Sequence, residues 1–135
     1  METKSLTGAE WKVMKIAWEL QKAMAREVYT IAGERHGWAP GTVKTLLKRL
    51  VDKGYLDTTK VGNGFVYRPA HAPISILCAA ADTLMQNAAP GTPGPLLAHM
   101  VEQSPLSDDD LDELQRLIEL KRKSAKHGDL GEGAG

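Results

Sequence analysis

A single cysteine, Cys78, rules out an intramolecular disulfide and cannot assemble a thiolate metal site within one chain. No apolar run approaches the ~20 residues needed to cross a membrane, and METKSLTGAE lacks the apolar segment of a secretory signal. The sequence therefore reads as a soluble cytoplasmic protein with no membrane partner. Nucleophile elbow, P-loop, HExxH and dinucleotide fingerprint are all missing, so no enzyme class is indicated. The four histidines, His36, His71, His99 and His127, are scattered without ligand spacing. The acidic run Asp108 to Glu113 falls where a helix N-terminus favours negative charge, so capping explains it better than a carboxylate metal site. No cofactor and no metal are expected. Cys78 falls in an apolar helical stripe, where it behaves as a small hydrophobe.

Net charge is also missing, at 17 cationic against 17 acidic residues, yet the zero hides a division. Up to Ala72 there are 12 Lys and Arg against 7 Asp and Glu; beyond it there are 5 against 10. The front is thus basic by about five charges and the back acidic by as many, which assigns an anionic partner to the front alone. With 135 residues, 42% of them hydrophobic, the chain can bury one modest core, or a small domain plus an appendage that needs a partner.

Thr7-Gly8-Ala9-Glu10 has capping-box spacing, with Leu6 and Trp11 at the two positions of a hydrophobic staple. Trp11, Met14, Ala17 and Trp18 then recur at helical spacing, widened by Val13 and Leu20. A second helix is expected from about Arg26 to Gly33, with Gly33 or Gly37 as its stop and Trp38 in the turn. Pro40 suits the first position of a third helix, whose Val43, Leu46, Leu47 and Leu50 follow i, i+3, i+4, i+7 before Lys53-Gly54 closes it. Its other face carries Gly41, Thr45 and Lys48, flanked by Thr42, Lys44 and Arg49. The period then becomes that of strands in Tyr55 to Val61 and Phe65 to Arg68, joined through Gly62-Asn63-Gly64 as a β-hairpin.

Beyond Pro73, Ile74, Leu77, Cys78, Ala81, Leu84 and Met85 form the stripe of a fourth helix. Ala88 to Pro95 reads as a flexible connection, followed by a short helix around Leu96, Leu97, Met100 and Val101. A last helix starts at Ser107, shows Leu111, Leu114, Leu117 and Ile118 on one side, and ends on Lys121, Arg122 and Lys123. The final SAKHGDLGEGAG has no apolar face and is expected to be disordered. Three helices in about 50 residues are too few to enclose their own stripes, which calls for a second copy of the chain.

Three helices and a glycine-turned hairpin follow the element order of a winged helix-turn-helix, in which the third helix enters the major groove. The expected fold is mainly α with a small β-hairpin wing: a DNA-binding domain over 1–72, a helical dimerisation domain over 73–123 and a tail over 124–135. Thr42, Lys44, Thr45, Lys48 and Arg49 supply hydroxyls and cations suited to base edges and phosphates, and Lys60 and Arg68 can clamp the flanking backbone. Asp52 shares that face and would repel phosphate unless it lies beyond the groove edge. The dimer contacts are assigned to Leu77, Leu84, Leu97, Met100, Val101, Leu111, Leu114, Leu117 and Ile118. The competing reading is a winged-helix protein-interaction module that never touches DNA.

LTGAEWKVMKIAW, WAPGTVKTLLKRLVDKGYL and the F-x-Y of Phe65-Val66-Tyr67 resemble the penicillinase-repressor (BlaI/MecI/CopY) family, from about Leu6 to Ile118. The resemblance implies a homodimeric transcriptional repressor on an inverted-repeat double-stranded operator, with the last three helices interleaved with those of the partner. In resistance repressors of that family a regulatory protease cuts an Asn-Phe bond in the arm; His99-Met100 aligns there, so the bond differs. Copper-responsive members end in paired cysteines, and this tail has none.

Overall fold

A computed structural model describes residues 5–133, with side chains as far as 126. Its elements are α1 (Gly8–Leu20), β1 (Ala23–Met24), α2 (Ala25–His36), α3 (Pro40–Asp52), β2 (Leu56–Val61), β3 (Gly64–Pro69), α4 (Pro73–Asn87), α5 (Pro93–Gln103) and α6 (Asp108–Gly133). The chain divides into two compact units, Met1–Asn87 and Ala88–Gly135, so α4 groups with the winged part rather than with α5 and α6. The expected domain boundary after Ala72 rests on charge and composition, whereas the division by compactness falls after Asn87.

The capping box at Thr7 forms as its spacing requires: Glu10 N–H donates to Thr7 Oγ1 at 3.2 Å, and Thr7 N–H donates to Glu10 Oε1 at 2.8 Å. Helix α2 ends later than Gly33, at Gly37, whose φ of +69° is the left-handed cap that glycine adopts without strain. Within the hairpin, Val61 pairs with Gly64, leaving Gly62-Asn63 as a two-residue loop. Gly62 has φ +61° and Asn63 is not among the positive-φ residues, the pattern of a type II′ turn.

The sheet has a third strand that the sequence reading lacks. β1 pairs antiparallel with β3, matching Ala23 to Tyr67 and Met24 to Val66, in the order β1-β3-β2. Two residues are too few to show a period of two, so no local pattern betrays it. The core joins Val13, Met14 and Ile16 of α1, Val28 and Ala32 of α2, and Val43, Leu46, Leu47 and Leu50 of α3 to Leu56 at the base of the wing. Each fully buried Leu or Ile contributes roughly 1.5–3 kcal/mol, enough in sum to fix how the three helices cross.

Three further expectations need correcting. Ile76, absent from the expected stripe of the fourth helix, is its one buried residue and joins the winged core. Most of the stripe stays exposed, with Ile74 at 66%, Leu77 at 49% and Leu84 at 52%, while Met85 is half-buried. Helix α5 begins at Pro93 and absorbs Gly94 and Pro95, which shortens the expected Ala88 to Pro95 connection. Its first-turn N–H groups have no helical partner anyway, so prolines there sacrifice no hydrogen bond. Finally, α6 does not end at Lys123: Ser124 to Lys126 remain helical, because basic residues complement a helix end without imposing one. Side chains of the expected tail after Lys126 lie outside the described residues.

The shortened connection sharpens a prediction. Limited proteolysis of the intact chain should cut first between Ala88 and Thr92, the stretch without regular backbone bonding. Mass analysis of early fragments checks this, and first cuts confined to the region after Lys123 would contradict it.

Candidate nucleic-acid interface

Helix α3 is held on three sides. Its apolar stripe is buried, and its N-terminus follows a turn in which the His36 and Trp38 rings lie 4.7 Å apart and Lys12 Nζ stands 5.9 Å from the Trp38 centroid. Its C-terminus is fastened by Lys53, which donates to Glu10 Oε1 at 2.6 Å and to the Ser5 carbonyl at 3.0 Å. Glu10 is completely buried. Burial alone would push its carboxyl up, but the Lys53 ammonium and the Thr7 N–H outweigh that and hold it below the ordinary carboxylate value. Gly54, at φ +86°, then turns the chain into the wing.

The face left in solvent carries the expected residues. Thr42, Lys44, Thr45, Lys48 and Arg49 are all exposed on α3, opposite Val43, Leu46, Leu47 and Leu50. The Thr45 hydroxyl donates to the Gly41 carbonyl at 3.1 Å, so its lone pairs and methyl, not its proton, remain available outward. Asp52 is the last residue of the helix, at the end away from Pro40. Lys60 and Arg68 are exposed on the wing; Lys60 stands across from Phe65, and Arg68 from Asp57.

The residues assigned to dimer contacts fall on α4, α5 and α6. Leu77, Leu84, Leu97, Met100, Val101, Leu111, Leu117 and Ile118 are all exposed in the single chain, and Leu114 is half-buried. Leu120 extends this apolar set by one position that the sequence reading omitted. His99 and Met100 both lie exposed within α5. Among the described residues no group of three or more His, Cys, Asp or Glu is placed to hold a metal. No described helix is long and apolar enough to cross a membrane.

Glu10 and Lys53 are the positions whose roles the sequence reading missed. Each already had a local explanation, as capping-box residue and helix-closing residue, and nothing in their spacing says that they meet across 43 positions.

A three-helix core, a three-stranded sheet with a glycine-turned wing, and a solvent-facing third helix rich in cations and hydroxyls define a winged helix-turn-helix protein. The family model of the penicillinase repressors matches residues 6–120, and the chain belongs to that family, one of transcriptional repressors rather than enzymes. An uncharacterized 16.5 kDa protein of Latilactobacillus sakei is 33% identical over 123 residues, covering 91% of this chain and 84% of that one. The methicillin resistance regulatory protein MecI of Staphylococcus aureus is 28% identical over 120 residues, 89% of this chain and 98% of MecI. Among solved structures, the DNA-binding domain of the repressor BlaI superposes with a TM-score of 0.50 at 33% identity, covering 53% of this chain and 88% of that domain.

Proposed function

We propose that the chain is a DNA-binding transcriptional repressor that acts as a homodimer on an inverted-repeat operator, each copy laying α3 in the major groove and its wing against the flanking backbone. The observation that carries this is the α3 face: a rigidly mounted helix presents Thr42, Lys44, Thr45, Lys48 and Arg49 to solvent with no acidic residue before Asp52. Arg and Lys at such positions reach guanine O6 and N7 or phosphate oxygens, and the Thr45 methyl fits a thymine methyl. The exposed apolar faces of α4, α5 and α6 support the dimer, because a second copy would remove them from water. A two-fold dimer matches a two-fold operator.

Release by a regulatory protease acting on the arm is implied by the family resemblance alone, and the bond aligned with the family's Asn-Phe site is His99-Met100 here. A cut at His99-Met100 must open a turn of α5, whereas a cut between Ala88 and Thr92 disturbs less. Either one detaches α6 from the winged domain and removes the second point of attachment to DNA.

The test is binding of wild type and variants to the DNA upstream of the chain's own gene. Lys44→Ala and Arg49→Ala should each weaken binding by about 1–3 kcal/mol where a base contact is lost, and less, uniformly across sequences, where the contact is to phosphate. Thr45→Ala should also weaken it, by the smaller amount expected of a methyl contact, and Lys121→Ala should leave it unchanged. Affinity should fall steeply with added salt as counterions are recaptured. Unchanged binding in all three α3 variants, or none at low salt, would favour a protein-interaction module instead.

A further inference from the structure

Two large apolar side chains of the first unit belong neither to its core nor to the expected dimer contacts. Val61 is 55% exposed and Phe65 48%, on either side of the turn at the tip of the wing. In a hairpin, directly paired residues share a face and successive residues alternate. Lys60 and Phe65 therefore lie on the face of Leu56 and Tyr67, which meets the core at the base of the wing, while Val61 lies on the opposite face. The hairpin outruns the core, and its tip is apolar on both faces. A flat partner would cover one face and leave the other wet, whereas a cleft covers both. The apex between them is slim. Gly62 has no side chain, and the exposed Asn63 holds the second central position of a type II′ turn without a positive φ, so the backbone does not call for asparagine there.

The cleft with matching chemistry is a DNA minor groove. Its walls are deoxyribose, which offers apolar surface to Val61 on one side and Phe65 on the other, and at A·T pairs its floor shows only the acceptors adenine N3 and thymine O2. The Asn63 carboxamide can donate to either. Guanine instead raises its N2 amino group from that floor, where it crowds the apex and loses its water to the two apolar side chains. The surrounding charge agrees. Lys60 stands beside Phe65, and the wing's one carboxylate, Asp57, lies at the base across from Arg68. Helix α3 belongs to the same compact unit, so one duplex can meet both. We propose that the wing tip is a second reading element, which selects A·T pairs in the minor groove beside the α3 site. Asn63 meets the base edges, Val61 and Phe65 the sugars, and Lys60 a phosphate. A groove about 6 Å wide must open to admit a hairpin, and flexible TA steps open most readily. The proposal rests on the repressor reading above and extends the wing's contact from the backbone to the bases.

The experiment uses the full chain and the shortest duplex from upstream of its gene that keeps full affinity. The base pairs flanking the α3 footprint are made A·T, G·C or inosine·cytosine in turn. Inosine presents guanine's O6 and N7 in the major groove but lacks the N2 amino group, so it separates the two grooves. The G·C flank should bind about tenfold more weakly than the A·T flank, as for one wrong base pair, and the inosine flank should bind like A·T. Asn63→Ala and Phe65→Ser should each shrink this contrast while still binding through α3. Asn63 is exposed at a turn position that alanine can occupy, so its variant keeps the fold. Equal affinity for all three flanks would leave the apolar tip to a protein partner and overturn the proposal. So would an inosine flank as weak as G·C, or a contrast that survives in both variants while affinity falls uniformly, the mark of a merely structural role. These outcomes leave the repressor reading standing; a chain that binds no DNA at low salt overturns both.

Discussion

Replacing Lys53 by methionine is expected to cost the winged domain about 3–5 kcal/mol, the penalty for leaving a buried charge without its partner. Glu10 is fully buried, and the cation 2.6 Å away offsets much of what its desolvation costs. Removing both charges, in Glu10→Leu with Lys53→Met, should recover much of the loss, since no orphan charge remains. Urea unfolding at neutral pH measures all three proteins, and a single-variant cost under about 1 kcal/mol would place the pair among weak surface bridges.

The same pair sets a pH dependence whose sign follows from the lowered Glu10 carboxyl. A folded value below the unfolded one, near 4.5, means that the contribution is complete above that pH and lost as the pH falls through the folded value. In Lys53→Met burial acts on the carboxyl without the ammonium, so protonation relieves the penalty. The stability gap between wild type and variant should therefore close toward acid pH. Because Lys53 also fastens the end of α3 to Ser5, the variant should bind DNA less selectively even at temperatures where it remains folded.

Ending the chain at Asn87 gives the second large effect. The compact unit Met1–Asn87 keeps its core, the α3 face and the wing, but loses α5 and α6 with Leu97, Met100, Val101, Leu111, Leu117 and Ile118. Without a tethered second head, affinity for a full operator should fall by roughly 10²–10⁴-fold, while a half-site is bound as before. Light scattering should show the full chain at about twice its 14.7 kDa mass. A full-length chain that stays monomeric at micromolar concentration, or a truncation with unchanged operator affinity, would contradict the dimer.

What could be read from the sequence was short-range. Thr7 to Trp11 contains its own start signal, Pro40 to Leu50 shows a full helical stripe, and Gly62-Asn63-Gly64 can be little but a turn. Each depends on residues within a turn or two of one another. The α3 face was legible for the same reason, as the complement of its buried stripe. What escaped was set by partners far along the chain. β1 exists because β3 passes beside it, and Ile76 is buried because the winged core lies on its side of α4 rather than on the side of the stripe. The Glu10–Lys53 pair joins segments that no local pattern links. The prolines of α5 misled in the other direction, reading as a linker where they serve as a helix start.

The central claim is that two copies of α3 read DNA as a symmetric pair, and selection from a random duplex library tests it most directly. Full-length chain is mixed with the library at moderate salt, bound molecules are recovered over several rounds, and Arg49→Ala is carried in parallel. The account predicts enrichment of an inverted repeat with its half-sites a whole number of helical turns apart, centre to centre, and relaxed preference at one symmetric pair of positions in the variant. No enriched sequence, or an enriched single site with no symmetric mate and no response to Arg49, would contradict it.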